Sequence, residues 1–239
     1  MILLELENVC RNFGGLRAVD DLSFQVEKRE IFGLIGPNGA GKTTIFNLIN
    51  NFVPVTSGRI YFQNLDITGL KPHNICKLGI GRSFQVVRPL GRMTVLENVI
   101  TAALCRTERL DYARTEALEM LDFCGLLSEK DKLGRSLSIG NRKLLEIARA
   151  MATKPQVLLL DEPAGGLNPR ELDEVIALIR KIRDRGITIL IVEHIMKVIM
   201  SISDRILAIN YGAAIASGTP REVANNEKVI EAYLGKEYA

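Results

Sequence analysis

Residues Gly36-Pro-Asn-Gly-Ala-Gly-Lys-Thr-Thr44 constrain this chain more tightly than any other feature. They fit G-x-x-x-x-G-K-[ST], after an apolar segment (Ile31–Ile35) that reads as a buried strand and before a stretch of helical character at 43–51. That context predicts a phosphate loop. Its glycines Gly36, Gly39 and Gly41 let backbone N–H groups of the loop, which also holds Pro37, Asn38, Ala40 and Thr44, turn inward around phosphate oxygens; Pro37 has no N–H of its own, and the helix N-terminus adds partial positive charge. Lys42 then reaches the β- and γ-phosphates and the Thr43 hydroxyl ligates Mg²⁺. The expected ligand is ATP.

The remaining pattern suits an α/β chain. Residues 3–9 and 22–26 alternate apolar and polar positions around a Gly14-Gly15 turn, and 58–63 returns to strand. From about 72 to 136 the chain is mainly helical, with helices expected near 95–105 and 113–121 and few strand signals. Strands and helices then alternate: a helix Ile139–Ala152, a strand at 157–160, a helix at 170–185 opened by Asn168-Pro169 and a strand at 187–192. A short helix, strands near 206–210 and 214–216, and a capping box at Thr219-Pro-Arg-Glu222 that opens a helical tail complete it. Alternation on both sides of a helical block predicts a parallel-sheet core carrying a helical insertion.

A net charge of +3 from 31 basic and 28 acidic residues is too balanced for a nucleic-acid footprint. The run Arg180-Lys181-Arg183-Arg185 sits where cations complement a helix C-terminus. No apolar run approaches the roughly 20 residues of a membrane span, and the N-terminus lacks signal-peptide character. The scattered Cys10, Cys76, Cys105 and Cys124 have no metal spacing and read as reduced cytosolic thiols.

A second chemical element is Val157-Leu-Leu-Leu-Asp161-Glu162, an apolar strand that ends in two carboxylates. Delivered to the C-terminal edge of a sheet, Asp161 would hold the Mg²⁺ shell and Glu162 would polarise an attacking water.

With these elements the sequence resembles the ATP-binding cassette (ABC) ATPases over nearly its whole length. Leu137-Ser-Ile-Gly-Asn141 followed by Lys143-Leu-Leu-Glu-Ile-Ala-Arg-Ala150 is similar to the family signature at the start of its helix. Ser83-Phe-Gln85 resembles the Q-loop and Ala164-Gly-Gly-Leu-Asn168 the D-loop. His194 stands at the switch-histidine position, and Phe13 at the distance of the aromatic that stacks on adenine. The resemblance implies a P-loop NTPase core with a mainly parallel sheet, an N-terminal antiparallel β subdomain and an inserted α-helical subdomain. The expected division is core at about 1–84 and 153–239, and helical subdomain at about 85–152.

It also implies a mechanism. Two copies close head to tail, with ATP between one copy's phosphate loop and the other's signature helix. Ser138 and the Gly140 backbone would meet the γ-phosphate across that interface, whereas His194 and Gln85 would approach γ-phosphate and Mg²⁺ within their own subunit. A second ATPase subunit, identical or related, is therefore an expected partner. Transmembrane permease subunits, and through them a substrate-binding protein, are the others, which places the chain peripherally at the cytoplasmic face of the membrane. Ile139 and Asn141 depart from the commonest signature, Leu-Ser-Gly-Gly-Gln, while Ser138 and Gly140 are kept.

Glu162-Pro-Ala-Gly-Gly-Leu-Asn-Pro169, Val192-Glu-His-Ile-Met-Lys-Val198 and Val229-Ile-Glu-Ala-Tyr-Leu-Gly235 resemble the ATPase subunits of branched-chain amino acid importers, and related cassettes for urea, other amides or lipopolysaccharide would look similar at these positions. One competing class, a soluble ABC ATPase acting on DNA or ribosomes, predicts a long coiled coil or a second cassette, and the chain carries neither; another, a nucleotide-sensing regulatory subunit with little turnover, is compatible with the altered signature.

Overall fold

The computed structural model describes residues 1–84 and 88–234. The chain divides into two compact units, Met1–Ile75 with Thr188–Ala239, and Cys76–Ile187.

In the first unit, β1 (Ile2–Phe13) and β2 (Leu16–Glu27) form a long hairpin turned by Gly14, whose φ of 57° suits glycine. With β4 (Ser57–Phe62) and β5 (Leu65–Asp66) they make an antiparallel sheet in the order β2-β1-β4-β5. Both hairpin strands outrun the segments expected at 3–9 and 22–26. The reason is a pair of irregularities. Asn8 and Asp21 both adopt φ of 46°, the Asn8 amide donates to Asp21 Oδ1 at 3.0 Å, and the register shifts between Leu6 and Val9. Each shift flips the alternation, so the apolar pattern breaks while pairing continues.

The same unit holds β3 (Ile31–Ile35), β8 (Thr188–Val192), β9 (Arg205–Asn210) and β10 (Ala213–Gly218), in the order β10-β9-β3-β8. β3 runs parallel to both β8 and β9, and β10 closes antiparallel on β9. Every residue of β3 and β8 is buried, as strands covered on both faces require. Phe24 of β2 stacks on Phe32 of β3 with centroids 5.4 Å apart. α1 (Lys42–Ile49) buries Ile45, Phe46, Leu48 and Ile49, each fully buried large side chain contributing about 1.5–3 kcal/mol. α2 (Pro72–Leu78) follows β5. Toward the C-terminus lie α7 (Met196–Ile202), then α8 (Pro220–Ala224) opened by the Thr219/Glu222 capping box, and α9 (Glu227–Leu234).

In the second unit β6 (Ile80–Arg82) runs parallel to β7 (Val157–Asp161). β6 was not expected: three residues, one of them arginine, carry no strand period. It is pairing with the wholly apolar β7 that makes them a strand. α3 (Val95–Ala103), α4 (Leu110–Phe123) and α5 (Ile139–Ala152) form the helical block, followed by α6 (Pro169–Asp184). α6 buries Val175, Ile176, Leu178, Ile179 and Ile182, ends with Lys181 and Arg183 in its last turn, and is followed by Arg185, whose guanidinium sits 3.6 Å over the Phe123 ring. Asn98, fully buried in α3, accepts from Leu90 N–H at 2.8 Å and donates to the carbonyls of Leu90 and Thr94, which holds the chain entering the helix. No helix among the described residues is long and apolar enough to cross a membrane.

Candidate functional site

β3 lies between β8 and β9 and delivers the phosphate loop from its C-terminal end. The loop is wedged into its unit. Ala40 O accepts from Gly212 N–H at 3.0 Å, and Gly41, the N-cap of α1, has φ of 104°. A Cβ on Gly41 would lie 2.5 Å from the Ala18 carbonyl oxygen, so only glycine lets the backbone pass. Asn38, Gly39 and Thr43 are exposed, Pro37 and Thr44 half-buried, and Gly36 and Ala40 buried. Lys42 is buried, and its ammonium donates to Gly36 O at 2.6 Å and Pro37 O at 2.9 Å. The lysine thus lies against the loop whose phosphates it was expected to reach.

His194 stands exposed just beyond the end of β8. Its placement comes from Glu193, fully buried, whose Oε2 accepts the N–H groups of His194 at 3.1 Å and Ile195 at 3.3 Å. Phe13, at the end of β1, is exposed, with the Arg11 guanidinium 4.4 Å from its ring centroid. In α9 the Tyr233 hydroxyl meets the backbone of Gly36; burial pushes its ionisation up and that hydrogen bond opposes the shift.

In the second unit, β7 ends at Asp161, which is buried. Arg82 Nη2 lies 3.1 Å from Asp161 Oδ2, and Ser83 Oγ accepts the Asp161 N–H at 3.3 Å. Asp161 Oδ1 is buried with no hydrogen-bond partner among the described residues. Burial pushes the Asp161 carboxyl up from its ordinary value, the Arg82 guanidinium opposes this, and the neighbouring Glu162 charge adds to it. Glu162 adopts φ of 48°, a left-handed conformation that turns the chain sharply off the strand. Lys143 of α5, itself buried, donates to Glu162 O at 2.5 Å and holds that turn.

Ser138 caps α5, its Oγ accepting from Asn141 N–H at 3.2 Å, and the hydroxyl proton is then directed elsewhere. Gly140, in the first turn, packs against Glu171; a Cβ there would stand 2.5 Å from Glu171 Oε1. The other Glu171 oxygen accepts from Asn168 N–H at 3.0 Å, completing the capping box of α6. A cavity of about 80 Å³ lies beside this contact, lined by Gly140, Asn141, Leu144, Leu167, Glu171 and Val175 among others. Gln85 falls outside the described residues.

The first unit thus gathers the loop with its lysine, and also carries His194 and Phe13. The second brings Asp161 and Glu162 together, and separately places Ser138 at the start of α5, with Gly140 against Glu171. Arg82, Lys143, Glu171, Glu193 and Tyr233 were missed. Only Glu171 left a signal, as the third residue after a capping Asn.

The family model described as ABC transporter matches residues 19–165. The chain belongs to the ABC transporter family. It is an ATP-binding, ATP-hydrolysing cassette. A second model, branched-chain amino acid ATP-binding cassette transporter, matches residues 215–239. The cassette is 43% identical to the high-affinity branched-chain amino acid transport ATP-binding protein LivG of Salmonella typhimurium, over 98% of each chain. Among solved structures it is similar to the ADP conformation of an ABC transporter cassette, with a TM-score of 0.90 and 34% identity over 99% of this chain and all of that one. It is also similar to a dimeric, post-hydrolysis cassette bound to ADP and Pi, with a TM-score of 0.83 and 26% identity over 92% of this chain and 99% of that one.

Proposed function

We propose that this cassette is the ATPase subunit that energises uptake of branched-chain amino acids, working as a dimer beneath transmembrane permease subunits. The observation that carries the solute class is the 43% identity to the LivG protein, joined by the match of residues 215–239 to the branched-chain amino acid model. A substrate-binding protein and the permeases would choose the solute, with the cassette supplying the stroke at the cytoplasmic face of the membrane.

Gly36 to Thr44 hold the triphosphate, with Lys42 turning from the loop carbonyls to the β- and γ-phosphates and Phe13 stacking on adenine. Mg²⁺ fits the residues present. It prefers oxygen donors and is commonly held by one or two carboxylates plus the phosphates themselves. The buried Oδ1 of Asp161, without a hydrogen-bond partner among the described residues, is such a donor, and the family resemblance would add the Thr43 hydroxyl and Gln85 as further ligands. A bound Mg²⁺ would supply charge neutralisation to the phosphates during hydrolysis. Glu162 accepts the proton of the attacking water as general base, and His194 donates to the γ-phosphate. The Ser138 hydroxyl and the amide of Gly140 offer donors to the ATP of a second copy, at a helix N-terminus suited to anions.

The test is Glu162→Gln. With Mg-ATP, light scattering is expected to show a stable dimer while turnover falls by about 10³-fold or more. A variant that stays monomeric at saturating ATP rules out the shared site, and unchanged turnover removes Glu162 as the base. For the solute, the cassette co-purified with its permeases in liposomes should hydrolyse ATP faster when leucine-loaded binding protein is added. Equal rates without leucine would refute the assignment.

A further inference from the structure

Arg82 and Asp161 form an ion pair whose side chains are 6% and 1% exposed, at the junction of β6 and β7. The strands run parallel with Gly81 opposite Leu158 and Arg82 opposite Leu159. Ser83 N–H continues the ladder to Leu159 O at 2.9 Å, and Ser83 Oγ takes the N–H of Asp161. Arg82, the last residue of β6, and Ser83 just after it therefore hold the carboxylate and the backbone of the same aspartate.

The contact to the carboxylate is one-sided. Nη2 engages Oδ2 at 3.1 Å, and Oδ1 is left buried with no hydrogen-bond partner among the described residues. A guanidinium can grip both oxygens in parallel, and that is its strongest mode. Here it grips one. Leaving the second oxygen of a buried carboxylate unpaired is costly, and a cation or its water shell would recover that cost.

We propose that Arg82 is a positioning residue for Mg²⁺: by holding Oδ2 it fixes the rotamer of Asp161 and reserves Oδ1 for the ion. The inference rests on the assignment of Asp161 to the metal made above. An opposite role is physically available, because a cation 3.1 Å from the carboxylate also offsets the charge that attracts Mg²⁺. The end-on geometry favours orientation over competition, since a competitor would cover the oxygen the ion needs. Arginine suits the task because its charge persists when buried and its planar fork is rigid, which a lysine on a flexible stem reproduces only in charge.

The experiment titrates divalent ions against the whole cassette with a fluorescent ATP analogue, and repeats the titration with Mn²⁺ followed by electron paramagnetic resonance, for wild type, Arg82→Lys and Arg82→Met. In EDTA all three are expected to bind nucleotide with affinities within about twofold. The half-saturating Mg²⁺ and Mn²⁺ concentrations should rise about tenfold in Arg82→Lys and toward 100-fold in Arg82→Met, the range typical of groups that orient a metal ligand. If Arg82→Met does not fold, judged by circular dichroism, Arg82→Lys decides alone. An unchanged ion requirement overturns the proposal. So does a lowered one, which would make Arg82 a competitor, or an equal loss of affinity in EDTA, which would make its role structural. A wild-type protein whose nucleotide binding ignores Mg²⁺ would overturn the metal assignment of Asp161, and the role of Arg82 with it.

Discussion

Two alanine substitutions in the phosphate loop separate its conformational cost from its steric one. Gly39 and Gly41 both have positive φ, 82° and 104°. Their surroundings differ. A Cβ on Gly39 meets nothing within 4 Å, whereas one on Gly41 stands 2.5 Å from the Ala18 carbonyl oxygen, a backbone atom of β2 that cannot swing away. For Gly39→Ala the left-handed backbone costs about 1–2 kcal/mol, less ~0.4–1 kcal/mol returned by stiffening the unfolded chain, for a net loss near 1 kcal/mol. Gly41→Ala adds an overpacking term of about 1–3 kcal/mol and should lose about 2–4 kcal/mol in total. Urea unfolding of nucleotide-free protein, followed by circular dichroism, measures both. Nucleotide affinity should not follow the same ranking. Gly39→Ala places a methyl where phosphate oxygens approach the backbone and should weaken ATP about tenfold (~1.4 kcal/mol) despite its small effect on folding. Equal losses of stability in the two variants would refute the steric role of the close contact between Gly41 and β2.

Asn98→Ala removes the acceptor of the Leu90 N–H, while the Thr94 carbonyl keeps the backbone N–H of residue 98, and should cost about 1–3 kcal/mol in the same unfolding assay. A loss under about 0.5 kcal/mol, the size of an ordinary surface change, would mean that water replaces the amide. Burial pushes the Cys124 thiol up to about 12 from 9.0. Because the folded value lies above the unfolded one, that contribution to stability is complete below pH 9 and is lost as pH rises toward 12. Unfolding of wild type against Cys124→Ala at pH 8 and pH 10.5 checks the sign: the stability gap should narrow at the higher pH, and a widening gap would contradict it. Cys76 is shifted the opposite way, its thiolate stabilised first by a hydrogen bond from Cys105, so mass spectrometry after brief alkylation at neutral pH should find Cys76 modified and Cys124 protected.

The legibility of this chain in its sequence followed the locality of each signal. β3 and α5 were expected with the bounds they have, because an all-apolar pentad and a Ser cap before an amphipathic run need no distant partner. The capping box at Thr219 was legible for the same reason. What escaped depended on residues far away in the chain. β6 is a strand only because β7 pairs with it, some 80 residues on in the spacing of Arg82 and Asp161. Arg82 carries no local signal of its role, since nothing in Gly81-Arg-Ser-Phe says that the guanidinium turns inward. The signature glycine was read as a phosphate contact alone. Gly140 is also required by its own chain, which presses Glu171 against it, and a single sequence cannot divide one residue between two reasons.

The parallel pairing of β3 has a consequence for synthesis. Ile31 pairs with Ile189 and Phe32 with Arg205, so the strand that aims the phosphate loop finds its neighbours only in the last quarter of the chain. At about 5–20 residues per second, a ribosome makes the next ~160 residues in roughly 8–30 s. For that interval the loop is exposed as a nascent segment without its flanking strands. The part of the molecule most recognisable on paper is then among the last to take shape, and a transcript cut short before β9 yields a polypeptide with the full nucleotide signature and no frame to display it.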